Sequence, residues 1–517
     1  MSDKQQFIES IKKSYSATQS HIYLGAGLLN GEIISEAQIN LPLQMMNRHG
    51  LISGATGSGK TRTLQVIAEQ LSDAGVPVFM SDIKGDLSGL GVAGTTNTKL
   101  EERAKALGFE FKPSAFPIEL YSLTGKTGAQ MRSTVSEFGP ILLSKIFELN
   151  DIQQGVLSII FKYCDDNGLP LVDLNDLKKV LNYLTEGAGA AEIKESYGKI
   201  SSSTSGTILR KIVALEQQGV GQIFGEKSFD VEDLFSKIDG KGVISLLNIS
   251  DMQTNQMVFS TFMVSLLAEL YHTLPEAGDL DKPKLVFFLD EAHLLFKDAP
   301  KAFLNQIEQV IRLIRSKGVG VFFCTQQPTD VPDTVLAQLG NRIQHVLRAF
   351  TPNDADNLAK VVKTYPKSTY YNINNTLTSL GIGQALITVL NEKGIPTEVA
   401  VTHLTPPRAI MGPMPVKEYN DVLQNSDLYK KYKVAVDPES AFEMLEARLK
   451  KSQSENLDTE EEDVKTPSTR VKKEKSTFEE VINSPILRSI GTQLIRSTFS
   501  MLLGGKTSSS KRKNGFF

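Results

Sequence analysis

The segment GATGSGKT, residues 54–61, constrains the fold of this chain more than any other feature. It matches the phosphate-binding loop in which glycines allow the backbone to turn its N–H groups inward around phosphates. The apolar run GLISG leads into it, and TRTLQVIAEQLSDAG follows with helical spacing. The N-terminus of that helix would add its dipole to the phosphate site. A strand, a glycine-rich loop and a helix in this order predict an α/β domain with a mainly parallel sheet.

The positions of the loop have different expected roles. Lys60 would place a compact positive charge against the β- and γ-phosphates, and Thr61 would offer its hydroxyl to Mg²⁺. The expected cofactors are therefore ATP and Mg²⁺. The candidate nucleotide-binding residues are Gly54, Ala55, Thr56, Gly57, Ser58, Gly59, Lys60, Thr61 and Arg62.

Two adjacent acids, Asp290 and Glu291, follow the apolar run KLVFFL. At the carboxyl end of a strand, Asp290 would hold Mg²⁺ through water, and Glu291 would orient and deprotonate the attacking water. The alternative is a helix that begins here with acids in its first turn. Together with the phosphate-binding loop, the pair predicts an ATP hydrolase. A non-enzymatic nucleotide-dependent scaffold would not need the base that Glu291 supplies.

The next apolar run, GVGVFFC, ends in the polar sequence TQQP. A neutral hydrogen-bonding side chain at the end of this strand would lie near the γ-phosphate and respond to its loss. Gln326 is our candidate for that role, between Thr325 and Gln327. A polar strand-to-loop transition that ends at Pro328 is the alternative.

Apolar periodicity and composition divide the chain into seven segments. Helical spacing dominates after residue 128, as in FGPILLSKIFELNDIQQGVLSIIFKYCDD, and strand-like runs resume after residue 240. The segments are 1–45 (a helix and short strands), 46–127 (first half of the ATPase core), 128–240 (a helical insertion), 241–410 (second half of the core), 411–451 (a helical extension), 452–475 (a disordered charged linker, because it has almost no apolar content) and 476–517 (an amphipathic helix and basic tail).

The net charge of −3 means that any contact with nucleic acid must come from a local patch. No apolar run reaches the about 18 residues that a membrane span needs, and the N-terminus lacks the apolar core of a signal peptide. We therefore expect a cytoplasmic protein without stable membrane insertion.

The three motifs, in this order and with a helical insertion between the first two, resemble the FtsK–HerA superfamily. The segments NRHGLISGATGSGKT, SDIKGDLSGL, FLDEAHLLF and TQQPTDVPDTVLAQLGNRIQHVLRAFTPND are similar to its bacterial HerA-like branch, over roughly residues 20–450. The resemblance implies a RecA-like P-loop NTPase core. It also implies a homo-oligomeric ring, hexameric in the better-known members, that moves double-stranded DNA. Conjugation ATPases share this core, so a motor that remodels or moves protein is the alternative.

The resemblance further implies a site between subunits, to which a neighbouring subunit donates an arginine. Arg342, after a Gly-Asn turn, is our preferred candidate, and the others are Arg348, Arg312 and Arg315. The two helix arginines are also explained by a solvated helix face.

Other residues near the motifs have weaker assignments. Asp82, Lys84 and Asp86 match a family feature and would line the site, although a surface turn explains them equally well. The letters DEAH do not indicate a DEAH-box helicase because the other motifs of that family are missing, so His293 has no assigned role. His403 would approach a nucleotide base or be an ordinary surface histidine. Residues 1–45 are too few for the barrel that precedes the core of archaeal HerA proteins, and a nuclease partner cannot be inferred.

Overall fold

A computed structural model describes residues 3–250, 255–297 and 299–462. The strands of these residues are β1 (His21–Leu29), β2 (Glu32–Pro42), β3 (Gly50–Ser53), β4 (Val78–Asp82), β5 (Ile118–Ser122), β6 (Ala129–Gln130), β7 (Lys237–Ile238), β8 (Lys241–Gly242), β9 (Ile244–Asn248), β10 (Leu285–Leu289), β11 (Val319–Thr325), β12 (Asn341–Gln344), β13 (Gln384–Thr388) and β14 (Ala400–Leu404).

The α-helices of the same residues lie between these strands or follow them, singly or in groups. They are α1 (Asp3–Ser14), α2 (Lys60–Asp73), α3 (Thr98–Ala106), α4 (Val135–Ile146), α5 (Asp151–Asn167), α6 (Leu174–Thr185), α7 (Ala190–Ser196), α8 (Ser202–Gln217), α9 (Gln256–Thr273), α10 (His293–Phe296), α11 (Lys301–Ile314), α12 (Asp333–Leu336), α13 (Pro352–Lys363), α14 (Ile373–Ser379), α15 (Val416–Asn425), α16 (Asp427–Lys433) and α17 (Ala441–Glu462).

One large sheet organises the chain. Its strand order is β2-β1-β14-β13-β12-β3-β11-β10-β4-β9-β5-β6. The strands from β12 to β6 pair in parallel, whereas those from β12 through β13, β14 and β1 to β2 pair antiparallel. The predicted α/β class with a mainly parallel sheet is thereby confirmed. The N-terminal strands β1 and β2 form a hairpin that extends the antiparallel side.

The central strands β10 and β11 are almost entirely apolar because both faces of the sheet are covered. Every residue of β10 and β11 is buried. Successive side chains point to opposite faces, so Phe287 and Phe323 join the core under the helical insertion, whereas Phe288 and Phe322 join the core under α2. This packing fixes the direction in which the loops leave the carboxyl ends of the strands.

The helices α4 to α8 form the insertion between β6 and β7, and α17 packs against α6 of the insertion. The carboxylate of Asp176 in α6 accepts hydrogen bonds from the Ser440 hydroxyl and the Phe442 amide, at 2.5 and 2.8 Å. Helix α17 continues to Glu462, past residue 451, where the sequence placed the start of a linker. Its Glu, Gln and Leu residues favour helix, which explains the longer element. The rest of that linker and the segment 476–517 lie outside the described residues.

Candidate nucleotide-binding site

The predicted motifs meet at one edge of the sheet. Strands β3, β11 and β10 are parallel neighbours, and Ser53 at the end of β3 pairs with Thr325 at the end of β11. The phosphate-binding loop leaves β3, Gln326 follows β11, and the acidic pair follows β10. The carboxyl ends of parallel strands share an edge, so these three motifs line a common cleft.

The loop is anchored at its start and open at its crown. The Gly54 amide donates to the Thr325 carbonyl at 3.2 Å, and the Ala55 amide donates to the Val346 carbonyl at 2.8 Å. Gly54, Gly57 and Gly59 have φ values of 150°, 78° and 112°. Side chains rarely adopt such values, so the loop requires glycine there. The crown, including Gly57, is exposed and can take a ligand.

Lys60 begins helix α2 and bends back into the loop. Its Nζ donates to the carbonyls of Gly54 and Ala55, at 2.6 and 3.3 Å. The ammonium is therefore held by the loop itself rather than by a carboxylate. Thr61 is half-buried in the next position, at the N-terminal end of the 14-residue helix. A positive charge and a hydroxyl thus occupy adjacent positions at a helix N-terminus, which suits a polyphosphate and its cation.

The acidic pair lies in the turn between β10 and α10. The Asp290 amide donates to the Ser81 hydroxyl at 3.0 Å, and the Asp290 carboxylate accepts the Glu291 amide at 2.9 Å. Burial, followed by the negative charge of Glu291, raises the pKa of Asp290 to about 6, while the charges of Lys60 and Lys84 act in the opposite direction. A bound cation would stabilise the ionised form of a buried acid that is repelled by its neighbour in this way.

Glu291 is held in an unusual conformation. Its φ of 49° lies in the left-handed region, which is uncommon for a residue other than glycine. Its Oε2 is buried and has no hydrogen-bond partner among the described residues. The nearest cationic group, Nδ1 of His293, lies 3.4 Å away and forms an ion pair only when it is protonated. An acceptor without a partner is available to a water molecule, as the role of a base requires.

The segment SDIKGDL closes the turn beside the acidic pair. The Asp82 carboxylate accepts the amides of Gly85 and Leu87, at 2.7 and 3.0 Å. Burial raises the pKa of Asp82 to about 6. Lys84 is exposed, and Asp86 lies 3.8 Å from the guanidinium of Arg62. Asp82 therefore shapes this turn, while Lys84 and Asp86 lie next to the cleft.

Gln326 is exposed at the edge between the loop and the acidic pair. The residues around it are fastened to Asp330, whose carboxylate accepts the Thr325 hydroxyl at 2.5 Å and the Gln327 amide at 3.0 Å. The turn is therefore fixed while the Gln326 side chain stays accessible. This geometry is compatible with a sensing role, which stays a prediction.

Arg342 lies near the amino end of β12, paired with Leu51 rather than with the end of β3. Its guanidinium donates to the carbonyls of Leu336, Leu339 and Thr364, at 3.3 to 3.4 Å. Within one chain it is therefore held away from the cleft. Arg348, Arg312 and Arg315 are exposed. An arginine that acts on a neighbouring subunit stays a prediction for all four.

Two residues that the sequence analysis did not single out form the wall behind the loop. The Ser53 hydroxyl donates to the Gln344 side chain at 2.6 Å, and the His345 amide donates to the Ser53 carbonyl at 2.7 Å. The His345 ring is fully buried, with Nε2 3.0 Å from the Thr63 hydroxyl. Strand β12 ends at Gln344, so His345 is the first residue beyond it. In the sequence, the signal for this wall was the pair of adjacent polar residues Gln344 and His345 at the end of a strand, because polar side chains that become buried there need hydrogen-bond partners.

A polar face of α2 holds the segment 408–411, which we call the strap. One side chain in each successive turn of the helix takes part. The contacts are Arg62 to the Met411 carbonyl (3.0 Å), Gln65 to the Ile410 carbonyl (2.8 Å), the Arg408 and Ala409 amides to Glu69 (2.9 and 3.0 Å) and the Arg408 guanidinium to Asp73 (2.5 Å). The strap leads to α15–α17, so the loop helix is joined to the C-terminal extension.

The sequence model of the family described as Helicase HerA-like C-terminal matches residues 28–512. The chain belongs to this family. With the loop and acidic pair at one sheet edge, it is a P-loop ATPase of the HerA-like type, and the predicted resemblance is confirmed.

Two archaeal relatives are similar to this HerA-like chain. The DNA double-strand break repair helicase HerA of Sulfolobus acidocaldarius is 23% identical over 74% of this chain and 70% of its own length. The protein of the same name from Sulfurisphaera tokodaii is 22% identical over 69% of this chain and 66% of its own length. The second match spans slightly less than two thirds of that relative, so the activities of the whole relatives are proposals for this chain.

A solved structure with the same fold is the bacterial conjugative coupling protein TrwB without its first 70 residues. It superimposes with a TM-score of 0.50 at 14% identity, over 79% of this chain and 95% of that one. The similarity shows a shared RecA-like fold. No helix among the described residues is long and apolar enough to cross a membrane.

Proposed function

We propose that this HerA-like ATPase hydrolyses Mg·ATP at the sheet edge and acts as a ring-forming motor on double-stranded DNA. The observation that carries the hydrolysis step is the buried Oε2 of Glu291. This atom has no hydrogen-bond partner in the described part of the chain, and its residue follows the strand next but one to the loop. A site that only bound nucleotide would not need an acceptor held ready in this way.

The residues of the cleft fit Mg·ATP. Backbone amides at the crown of the loop and the Lys60 ammonium would bind the phosphates, and the Thr61 hydroxyl and Asp290 carboxylate would hold the cation. Bound Mg²⁺ would neutralise phosphate charge and lower the raised pKa of Asp290. Among the described residues, no cluster of three His, Cys, Asp or Glu side chains could hold a metal alone. This agrees with a cation that is held partly by phosphate oxygens and water.

The chain's own residues would then divide the chemistry. Glu291 would accept a proton from the attacking water, and Gln326 would hydrogen-bond near the terminal phosphate. An arginine from a neighbouring subunit, Arg342 in our preferred assignment, would stabilise the transition state. Such arginines contribute about 10³- to 10⁵-fold in rate.

The assignment of the base is tested by paired variants. Lys60→Ala should abolish turnover because the phosphates lose their fixed cation. Glu291→Gln keeps the size of the side chain but cannot take the proton, so ATP binding should stay within about twofold while turnover falls by about 10²- to 10⁴-fold. Binding of a fluorescent ATP analogue and steady-state phosphate release separate the two effects. Wild-type turnover by Glu291→Gln would show that another group is the base.

The DNA substrate is supported by the similarity to the two archaeal DNA double-strand break repair helicases, because the net charge of −3 gives no independent support. Duplex DNA should stimulate hydrolysis by the full chain, and the stimulation should fall steeply with salt, since phosphate contacts release counterions. The basic tail could bind DNA by itself. The matched control therefore replaces Lys511, Arg512 and Lys513 with serine in the full chain. If the stimulation survives in this variant, the DNA-binding site lies elsewhere in the protein.

If DNA stimulates neither the wild type nor the tail variant, with oligomers confirmed by mass measurement, the alternative of a motor that acts on protein is favoured.

A ring with sites between subunits also predicts that specific activity rises with protein concentration. Mixing inactive Arg342→Ala subunits into the wild type should then lower activity more than dilution does. A fully active monomer would contradict the ring.

A further inference from the structure

The residue behind the phosphate-binding loop is a histidine, and its surroundings are unusually tight. Strands β3 and β12 run side by side until Ser53 pairs with Gln344. Beyond that point the two segments stay joined by the hydrogen bond from the Ala55 amide to the Val346 carbonyl (2.8 Å), and the His345 side chain lies against the start of the loop. A Cβ atom added to Gly54 would lie only 2.5 Å from the Cβ of His345. The glycine at the start of the loop is therefore required by this contact as well as by its φ value.

The same ring also reaches the other end of the loop. A Cβ atom added to Gly59 would lie 3.6 Å from Cε1 of His345. Nε2 lies 3.0 Å from the hydroxyl of Thr63, and that hydroxyl lies 3.3 Å from the Gly59 carbonyl. His345 thus lies close to both ends of the loop, through its Cβ where the loop leaves the sheet at Gly54 and through its ring where the loop enters α2.

The ring is neutral at physiological pH. Burial, followed by the positive charge of Lys60, lowers the pKa of His345 to about 4. A neutral ring adds no second positive charge beside Lys60, so the fixed cation of the loop remains the lysine. Its contribution is therefore one of shape and hydrogen bonding.

We propose that His345 is a positioning residue of the nucleotide site: its side chain holds the two ends of the loop, at Gly54 and Gly59, in place and, through Thr63, fixes the first turn of α2. That turn carries Lys60 and Thr61, which the proposed function assigns to phosphate and cation, and the inference rests on that function. Loss of the contact would let the turn shift relative to the loop. Preorganised geometry of this kind decides how tightly a site holds its ligand.

The test uses three variants of the full chain. His345→Leu fills much of the space without a hydrogen bond, Thr63→Val removes the partner hydroxyl with almost no change of shape, and His345→Gln keeps an amide within reach of Thr63. We expect the first two to weaken binding of a fluorescent ATP analogue with Mg²⁺ about tenfold, which corresponds to about 1.4 kcal/mol. His345→Gln should stay within about threefold of the wild type. The loss of affinity in the double variant His345→Leu/Thr63→Val should be smaller than the sum of the two single losses, because both changes remove the contact between His345 and Thr63.

His49 provides the matched control because it is equally buried, and it immediately precedes the first residue of β3, at the opposite end of the strand. His49→Gln should lower the melting temperature and leave nucleotide affinity unchanged. If His345→Leu and Thr63→Val lower the melting temperature but bind the analogue as the wild type does, the role is structural and the proposal is overturned. Thr63→Val keeps this outcome accessible even if His345→Leu does not fold. Failure of the wild type to bind would instead overturn the proposed function and, with it, this inference.

Discussion

Acid should destabilise the fold through His49, a residue far from the cleft. Its Nε2 contacts the Ile311 carbonyl at 2.7 Å, and its Nδ1 accepts the Val321 amide at 3.0 Å. The acceptor role of Nδ1 places the proton on Nε2, so the ring is a neutral tautomer that joins α11 to β11. Two cations, Arg315 and Arg48, face it, and burial followed by their charges lowers the pKa of His49 to about 4.

The sign of the effect follows from the two protonation states. In the unfolded chain this histidine has its ordinary pKa of 6.5, so between pH 4 and 6.5 the unfolded state binds more protons than the folded state. Above pH 6.5 the buried neutral ring of His49 makes its full contribution to the free energy of unfolding, and this contribution is lost as the pH falls towards 4. A tenfold change in proton affinity is worth about 1.4 kcal/mol, so the full loss is about 3 kcal/mol, and the loss at pH 5 is about 2 kcal/mol.

The assay compares urea unfolding of the wild type and His49→Gln at pH 7 and pH 5. Far-UV circular dichroism is the appropriate signal because the chain has no tryptophan. The variant should be less stable at pH 7, since glutamine cannot make both hydrogen bonds in the same geometry. The stability difference should shrink by about 2 kcal/mol at pH 5, where only the wild type must keep an uncharged histidine at position 49. An equal difference at both pH values would refute the assignment of a neutral buried ring.

Two further perturbations test the loop and the strap. Gly54→Ala should abolish binding of the ATP analogue, because the new Cβ atom would collide with His345. Gly57→Ala has open space around the new Cβ atom, so it should lose only about 1–2 kcal/mol of folding stability, the cost of a positive φ for alanine. Melting curves and binding titrations compare the two variants. Glu69→Leu should cost about 2 kcal/mol, since the amides of Arg408 and Ala409 lose their acceptor, and hydrogen exchange at those two amides should accelerate. Unchanged exchange there would show that the strap does not depend on Glu69.

Local patterns were sufficient for the parts of the site that lie on one element. The glycine loop, its helix and the acidic pair each occupy a short run of sequence, and strand ends in a parallel sheet must share an edge. Their convergence was therefore predictable from the order of the apolar runs. The contacts of Gln344 and His345 with β3 and α2 were not, because their partners lie about 280–290 positions away in the chain. An isolated strand pattern does not reveal which polar side chain will meet a loop.

Helix α2 is a second element whose long-range contacts could not be predicted from its sequence pattern. In sequence its polar positions resemble the solvated face of an amphipathic helix, yet Gln65 and Glu69 are buried. Burial raises the pKa of Glu69 to about 7, against the hydrogen bonds that its carboxylate accepts from the strap. A buried carboxylate requires such donors, and here they come from a segment more than 330 positions later. Because successive turns of α2 hold the strap, the helix that carries Lys60 cannot slide along its axis without straining these bonds. The C-terminal extension is therefore part of the framework that positions the phosphate-binding loop.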